Sequence, residues 1–363
     1  MQNIIKYTAI LLFTIQLASC QNKEKNMSKE FRWAEATSSA YGYPIDVYMG
    51  GLQSADGDFT SLYSGTTHGE WGSANSGMRD GIRTIPNHLH VIWVSYVEGV
   101  FYEIDTPIDY DKMVSLFREG YYIPSLDKDY PEPRKEEYKK IITGFAPGGV
   151  VVIWLEGAGR QIEIGRYQGK KVTISQEQID ALPVGPKKNM FNPEYQRKIL
   201  YEFDIVPKEV AEANRNKPIP FGIWDTYRER YNWSIEFELP NNGKIIEIDY
   251  FLFNGELETL FGDTELEKYD VPINLQWKNL TKRTIPNKIY FSWEEKPNKL
   301  FEGTIKYNEE EILSAFNRVF KHKQEGKAEL IIRVNESKNY ASIVLKGNDE
   351  EVWLINNEIV ITD

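Results

Sequence analysis

Two histidines separated by one residue, His88 and His90, are the first feature with chemical potential. On a strand their side chains leave the same face. With His68 or Glu70 from the preceding loop they would supply three zinc ligands. No further ligand is spaced to complete the set, so the pair reads as a solvated strand face, with no metal and no cofactor. Asp56-Gly57-Asp58 has the opening of a calcium loop. Ser61 stands where an EF-hand needs Gly and Thr67 where it needs Glu, so the stretch reads as an acidic turn. Gly148-Gly149 and Gly157-Ala158-Gly159 flank an apolar run and are not followed by a helix. They read as turns, the second as a hairpin turn, and not as a phosphate loop. There is no Gly-x-Ser-x-Gly elbow and no His-Glu-x-x-His, and a triad would have to use His68, His88, His90 or His322. No catalytic residue is assigned. Carboxylate pairs of the glycosidase kind stay open, because 54 acidic residues always offer pairs. Trp71 lies in a Gly- and Ser-rich loop, 54–79, and is the aromatic best placed for an exposed contact. With His88 and His90 it forms the candidate binding set.

Cys20 is the only cysteine of the chain. It follows Leu17-Ala18-Ser19, a mostly apolar run from Ala9 to Leu17, and the positive charge of Lys6. That run is shorter than the roughly 20 residues of a membrane span but suits a signal peptide. Small residues before the cut let a peptidase close on the backbone, and the thiol can accept a diacylglycerol. The layout resembles the bacterial lipobox, which implies lipid attachment at Cys20. A sole cysteine excludes an internal disulfide, a thiolate zinc site and a cysteine nucleophile in the mature chain. The expected segments are a signal peptide over 1–19 and a polar, flexible tether over 20–30. The expected location is the cell envelope, at the outer membrane, with the lipid as the membrane contact.

The formal net charge is −11, and removal of Lys6 with the signal makes it one unit more negative. That argues against nucleic acid as a partner and against anionic lipid surfaces as the main target. A hydrophobic content of 41% and an aromatic content of 13% predict a folded protein.

The elements come in two runs. Arg83-Thr84-Ile85-Pro86-Asn87 recurs as Arg283-Thr284-Ile285-Pro286-Asn287. Trp33 matches Trp233, Trp93 matches Trp293 and Phe101 matches Phe301 in the same register. After a one-residue gap, the helix around Met113–Phe117 matches Ile312–Phe316. Each run predicts strands, one amphipathic helix capped by Asp109 or Asn308, then a hairpin. The expected fold is α+β: two tandem copies of an antiparallel-sheet unit with one short helix each, and extra helices between them. The copies span 30–174 and 228–363, with a helical linker over 175–227. Asn192-Pro193-Glu194 marks a helix start in that linker. The four matched tryptophans read as core.

Gly42-Tyr-Pro-Ile-Asp-Val-Tyr48, Trp71-Gly72, Ile85-Pro86 before the strand with Trp93, and Phe101-Tyr102-Glu103 before the short helix form one further pattern. It resembles a family of bacterial lipoproteins, the domain of unknown function 2931. Copy one matches along most of its length. Copy two matches around Tyr231-Asn232-Trp233 and from Ile285 to Phe316, without a Trp71-Gly72 equivalent. The resemblance implies an envelope lipoprotein without established catalysis. Relatives that sit beside secretion-system toxin genes suggest immunity to a secreted toxin. The function expected is a non-catalytic binding or interaction module with a protein partner in the envelope. The alternative is an envelope hydrolase acting on lipid, glycan or peptide.

Overall fold

The computed structural model describes residues 30–75, 77, 79–125, 132–296, 299–322 and 325–363. Residues 1–29, with the expected signal peptide, Cys20 and most of the expected tether, lie outside the described residues. Among those described, no helix is long and apolar enough to cross a membrane.

The fold is α+β, mostly strands in four sheets with several short helices. The first half runs β1 (Glu30–Ser39), β2 (Ile45–Gln53), β3 (Phe59–Ser61), β4 (Asp80–Thr84), β5 (His88–Ser95), β6 (Val100–Pro107), α1 (Tyr110–Glu119), β7 (Tyr121–Ile123), β8 (Arg134–Glu136), β9 (Tyr138–Ala146), β10 (Val150–Gly157), β11 (Arg160–Gln168) and β12 (Lys170–Val172). Five short helices follow: α2 (Gln176–Asp180), α3 (Pro186–Asn189), α4 (Pro193–Tyr201), α5 (Lys208–Asn214) and α6 (Ile223–Thr226). The second half runs β13 (Tyr231–Glu238), β14 (Lys244–Leu252), β15 (Leu257–Phe261), α7 (Asp263–Leu266), β16 (Thr281–Arg283), β17 (Pro286–Lys296), β18 (Lys299–Lys306), α8 (Glu309–Phe320), β19 (Ala328–Val334), β20 (Ala341–Gly347), β21 (Glu350–Leu354) and β22 (Glu358–Thr362).

In the first half β1 pairs with β4 and β9, β10 with β9 and β11, β2 with β3 and β5, and β6 with β5 and β12. In the second half β13 pairs with β16 and β19, β20 with β19 and β21, β14 with β15 and β17, and β18 with β17 and β22. The sheets are not purely antiparallel, as the sequence had led us to expect. β1 runs parallel to β9, and β13 to β19. A parallel neighbour requires a long crossover, here most of each half, and local periodicity carries no trace of it. The second half also holds a second helix, α7.

Each half is a two-layer sandwich with its helix against the core. In the first, Trp33, Val91, Trp93, Phe145 and Ile153 meet Met113 and Phe117 of α1. In the second, Trp233, Tyr250, Phe291 and Trp293 meet Ile312 and Phe316 of α8. The four matched tryptophans are at most 1% exposed, which is core. Full burial of such side chains stabilises by about 1.5–3 kcal/mol each. The caps stand as expected: Asp109 accepts from Lys112 N at 3.1 Å and Asn308 from Glu311 N at 3.0 Å.

The repeated pentapeptide has a structural cause. Arg83 lies 3.8 Å from the ring centre of Trp33 and donates to Thr60 Oγ1 and to the carbonyls of Trp33 and Arg79. Arg283 lies 5.1 Å from Trp233 and donates to Asn279 Oδ1. Asp56 Oδ2 accepts from the Thr84 hydroxyl, and Asn254 Oδ1 from that of Thr284. Asp56 also accepts from Asp58 N, so Asp56-Gly57-Asp58 is a side-chain-closed turn. One match needs correction. Phe301 faces Trp293 as Tyr102, not Phe101, faces Trp93. The one-residue gap therefore lies in the hairpin, ahead of Phe301.

Candidate functional site

The ten-stranded sheet crosses from one half to the other where β11 pairs with β15, at Arg160↔Glu258 and Gln161↔Leu257. Two residue pairs make a short ladder, and side chains reinforce it. Trp154 Nε1 donates to the Asn254 carbonyl at 3.0 Å. Gln161 Nε2 donates to the carbonyls of Gly72 and Gly255. Gly72 has φ 88°, and a Cβ there would fall 2.7 Å from Gly255 Cα. The Trp71-Gly72 loop thus needs glycine to lie flat on the second half's turn. Arg228 forks onto Glu163 at 2.8 and 2.9 Å, and Arg230 reaches Glu256 at 2.6 Å. Burial and these partners make the carboxylates dependent on the arginines. The Arg228 guanidinium is pushed up chiefly by its bond to Glu163.

Beside this seam opens a cleft of about 520 Å³, within the range of small-molecule sites. Tyr41, Tyr43, Glu70 and Trp71 line it from the first half. Val210, Asn214, Ile223, Trp224 and Tyr227 come from α5, α6 and the turn after it. Phe253, Asn287, Lys288, Lys306, Tyr307 and Glu309 complete it from the second half. The aromatic walls are braced. Trp71 packs edge-on to Trp154 at 5.0 Å, Tyr43 edge-on to Trp224 at 5.7 Å, and Tyr227 stacks on Phe253 at 5.1 Å. The floor under Trp224 and Trp71 is the outer face of β10, whose run Val150–Leu155 is buried on both sides.

Charge in the cleft is mixed. Glu309 Oε1 accepts from the Tyr227 hydroxyl at 2.7 Å. Burial, and then Glu309, hold the hydroxyls of Tyr227 and Tyr43 above the usual phenol range. Lys288 Nζ lies 3.9 Å from the Phe251 ring centre. Asn287 Oδ1 is buried without a hydrogen-bond partner. Among the described residues, no group of three His, Cys, Asp or Glu side chains could hold a metal ion.

The residues singled out in the sequence do not converge. Trp71 is half-buried in the cleft wall. His88 pairs with Asp105 and His90 with Glu103 at 3.3 Å, on the outer face of the β2–β5–β6 sheet. The Asp105 carboxyl is held low chiefly by its bond to His88. His68 is apart from both: its Nε2 accepts from Gly42 N at 3.0 Å, and burial pushes its pKa down. The lysines, Glu309 and Tyr227 were not singled out. Their only sequence sign was that Lys288 stands where the first half has His88.

A family model described as "Protein of unknown function (DUF2931)" matches residues 19–222, and the chain belongs to that family. No curated protein and no solved structure matches the chain.

Proposed function

We propose that this family member is a lipid-anchored, non-catalytic binding module of the bacterial envelope, built from two tandem copies of one sandwich unit. The partner binds in the aromatic cleft beside their seam. The observation that carries the reading is the cleft itself: half-buried tyrosine, tryptophan and phenylalanine rings from three separate stretches gather in one concave site. Such sites bind by apolar contact with a few polar groups setting orientation. The tandem reading is supported by the same eight strand pairings in each half, by Arg83 on Trp33 and Arg283 on Trp233, and by the matched helix caps. Anchoring at Cys20 rests on the lipobox layout. An envelope protein, such as a secreted toxin met as an immunity target, is the partner class that the family context favours.

The test is affinity capture of the mature protein from its native envelope. One stoichiometric partner, lost in Tyr41→Ala and Trp71→Ala, is the expected result. Tyr41 is 49% exposed, so its removal leaves the core intact. Capture that is empty, or unchanged in both variants, overturns the cleft as the binding site. Labelling with a palmitate analogue tests the anchor: wild type should carry label and Cys20→Ser should not. The hydrolase reading has one observation in its favour. Glu70 and Glu309 face the cleft from opposite halves. It requires turnover of an envelope substrate that Glu70→Gln or Glu309→Gln abolishes.

A further inference from the structure

We infer that the protein partner enters the cleft with an arginine side chain, its guanidinium against the aromatic wall and its charge met by Glu70 and Glu309. The inference rests on the cleft being the binding site and names the group that anchors the partner there.

The charges in the cleft are not equally satisfied. Lys306 is directly opposed by Glu358 on β22. Lys288 lies over the Phe251 ring and acts on the Asp249 carboxyl, which burial pushes up and which the Thr259 bond and the Lys288 charge draw down. Glu70 and Glu309 face the cleft from opposite halves. Among the described residues neither has a lysine, arginine or histidine nitrogen within salt-bridge distance. Glu309 opens α8 beside Glu310 and Glu311, so three carboxylates share its first turn. The helix N-terminus offsets only about half a unit charge. The cleft therefore presents uncompensated negative charge, and a cation complements it.

The aromatic wall selects the cation. Tyr41, Tyr43, Trp71 and Tyr227 offer ring surface, and Glu309 Oε1 accepts from the Tyr227 hydroxyl, so one carboxylate sits at the edge of this wall. The molecule uses the same arrangement twice in its interior. Arg83 lies on Trp33 with Glu35 at 3.4 Å, and Arg283 lies near Trp233 and Tyr250 with Glu258 at 3.4 Å. The cleft repeats the rings and the carboxylate, and no described arginine lines it. A guanidinium suits such a site better than an ammonium, because its plane stacks on a ring while its edge forks onto a carboxylate. At about 520 Å³ the cleft exceeds one side chain, which leaves room for apolar neighbours of the arginine against Ile223, Trp224 and Phe253.

Phage display of a random hexapeptide library on the immobilised mature protein tests this. Selected peptides should carry arginine about tenfold or more above its share in the library. In isothermal titration calorimetry a selected peptide should bind about tenfold or more tightly than its citrulline analogue, which keeps the shape and loses the charge. That advantage should fall as salt rises from about 20 to about 200 mM. Glu70→Gln with Glu309→Gln, both on exposed side chains, should erase the preference for arginine. Tyr41→Ala should remove selection altogether. Selection without arginine, equal binding of the citrulline analogue, or a preference that survives loss of both carboxylates overturns the inference and leaves the cleft reading standing. Selection unchanged in both Tyr41→Ala and Trp71→Ala overturns the cleft as the binding site as well. An empty selection overturns the arginine anchor, and envelope capture then decides separately whether the cleft binds a partner.

Discussion

The outer face of the β2–β5–β6 sheet and the outer face of the β14–β17–β18 sheet lie on matching frames and have opposite chemistry. In the first half this face carries Tyr48, Ile92, Val94 and Phe101, and Met190, Phe191 and Ile199 from the connecting helices bury it. In the second half the places of Ile92 and Val94 are taken by Ser292 and Glu294. Glu247 stands where Met49 does, just past a bulge that both strands share. Among the described residues no five-helix segment covers that face, which runs on through the seam into the outer face of β10 and borders the cleft. The sandwich interiors set the frame, and the outward residues decide whether a sheet is sheathed by apolar helices or carries polar groups, of which Glu247 and Ser292 are themselves buried. The connecting helices serve both ends of this arrangement. α4 covers the first half's face, while α5 and α6 form a wall of the cleft.

The largest expected effect breaks this contrast. Val94 is fully buried, so Val94→Glu places an unpaired charge under the helices and should destabilise by at least about 4 kcal/mol. Glu294→Val, at the matching half-exposed site, should cost less than about 1 kcal/mol. Urea unfolding of both variants checks the pair, and similar costs would mean that the two faces are not differently covered. Next come Trp33→Ala and Trp233→Ala. If the frames are equivalent, each should cost about 3–5 kcal/mol, and a tolerated loss in one half alone would separate them.

Glu247 sharpens the comparison through pH. Burial first, then Asp249, Glu265 and Glu302, push its carboxyl up to about 7. The folded state therefore holds a proton that the unfolded state releases near the ordinary glutamate value. Stability from this group is present at acid pH and is lost as pH rises toward and through 7. Glu247→Gln should stabilise on the order of 2–3 kcal/mol at pH 8 and change little near pH 4.5. Thermal unfolding across that range checks it, and a gain independent of pH would show the carboxyl to be ionised throughout. The smallest effects are at the caps and the histidines. Asp109→Ala and Asn308→Ala should each cost about 1 kcal/mol. His90→Ala, on an exposed pair, should stay within about 0.5 kcal/mol.

Much of the frame was legible in the chain. Alternating apolar residues marked the strands from His88 and from Gly149, the caps marked α1 and α8, and Asn192-Pro193 marked the start of α4. The acidic turn at Asp56 and the hairpin at Gly157 were equally local, since each closes on bonds within a few residues. The parallel pairings were not legible, because β1 and β9 meet across about a hundred residues of chain. The cleft was hidden for the same reason. Its walls come from residues 40–71, 210–227 and 253–309, and the β11–β15 pairing, with the side-chain bonds and ring contacts around it, brings them together. Trp71 drew attention as a loop aromatic, while Lys306 and Glu309 look like ordinary charges beside a helix start. Their meaning depends on the strand opposite and on Tyr227, neither of which is a neighbour in sequence.

The most direct test of the cleft as the binding site is photocrosslinking in living cells, with a benzophenone amino acid placed at position 41 in one strain and at position 59 in another. Tyr41 lines the cleft and Phe59 lies on the β3 edge, and the two are almost equally exposed, at 49% and 48%. The account predicts a discrete adduct from position 41 that disappears when Trp71 is changed to Ala, and none from position 59. Equal adducts from both positions, or an adduct from position 59 alone, would contradict it.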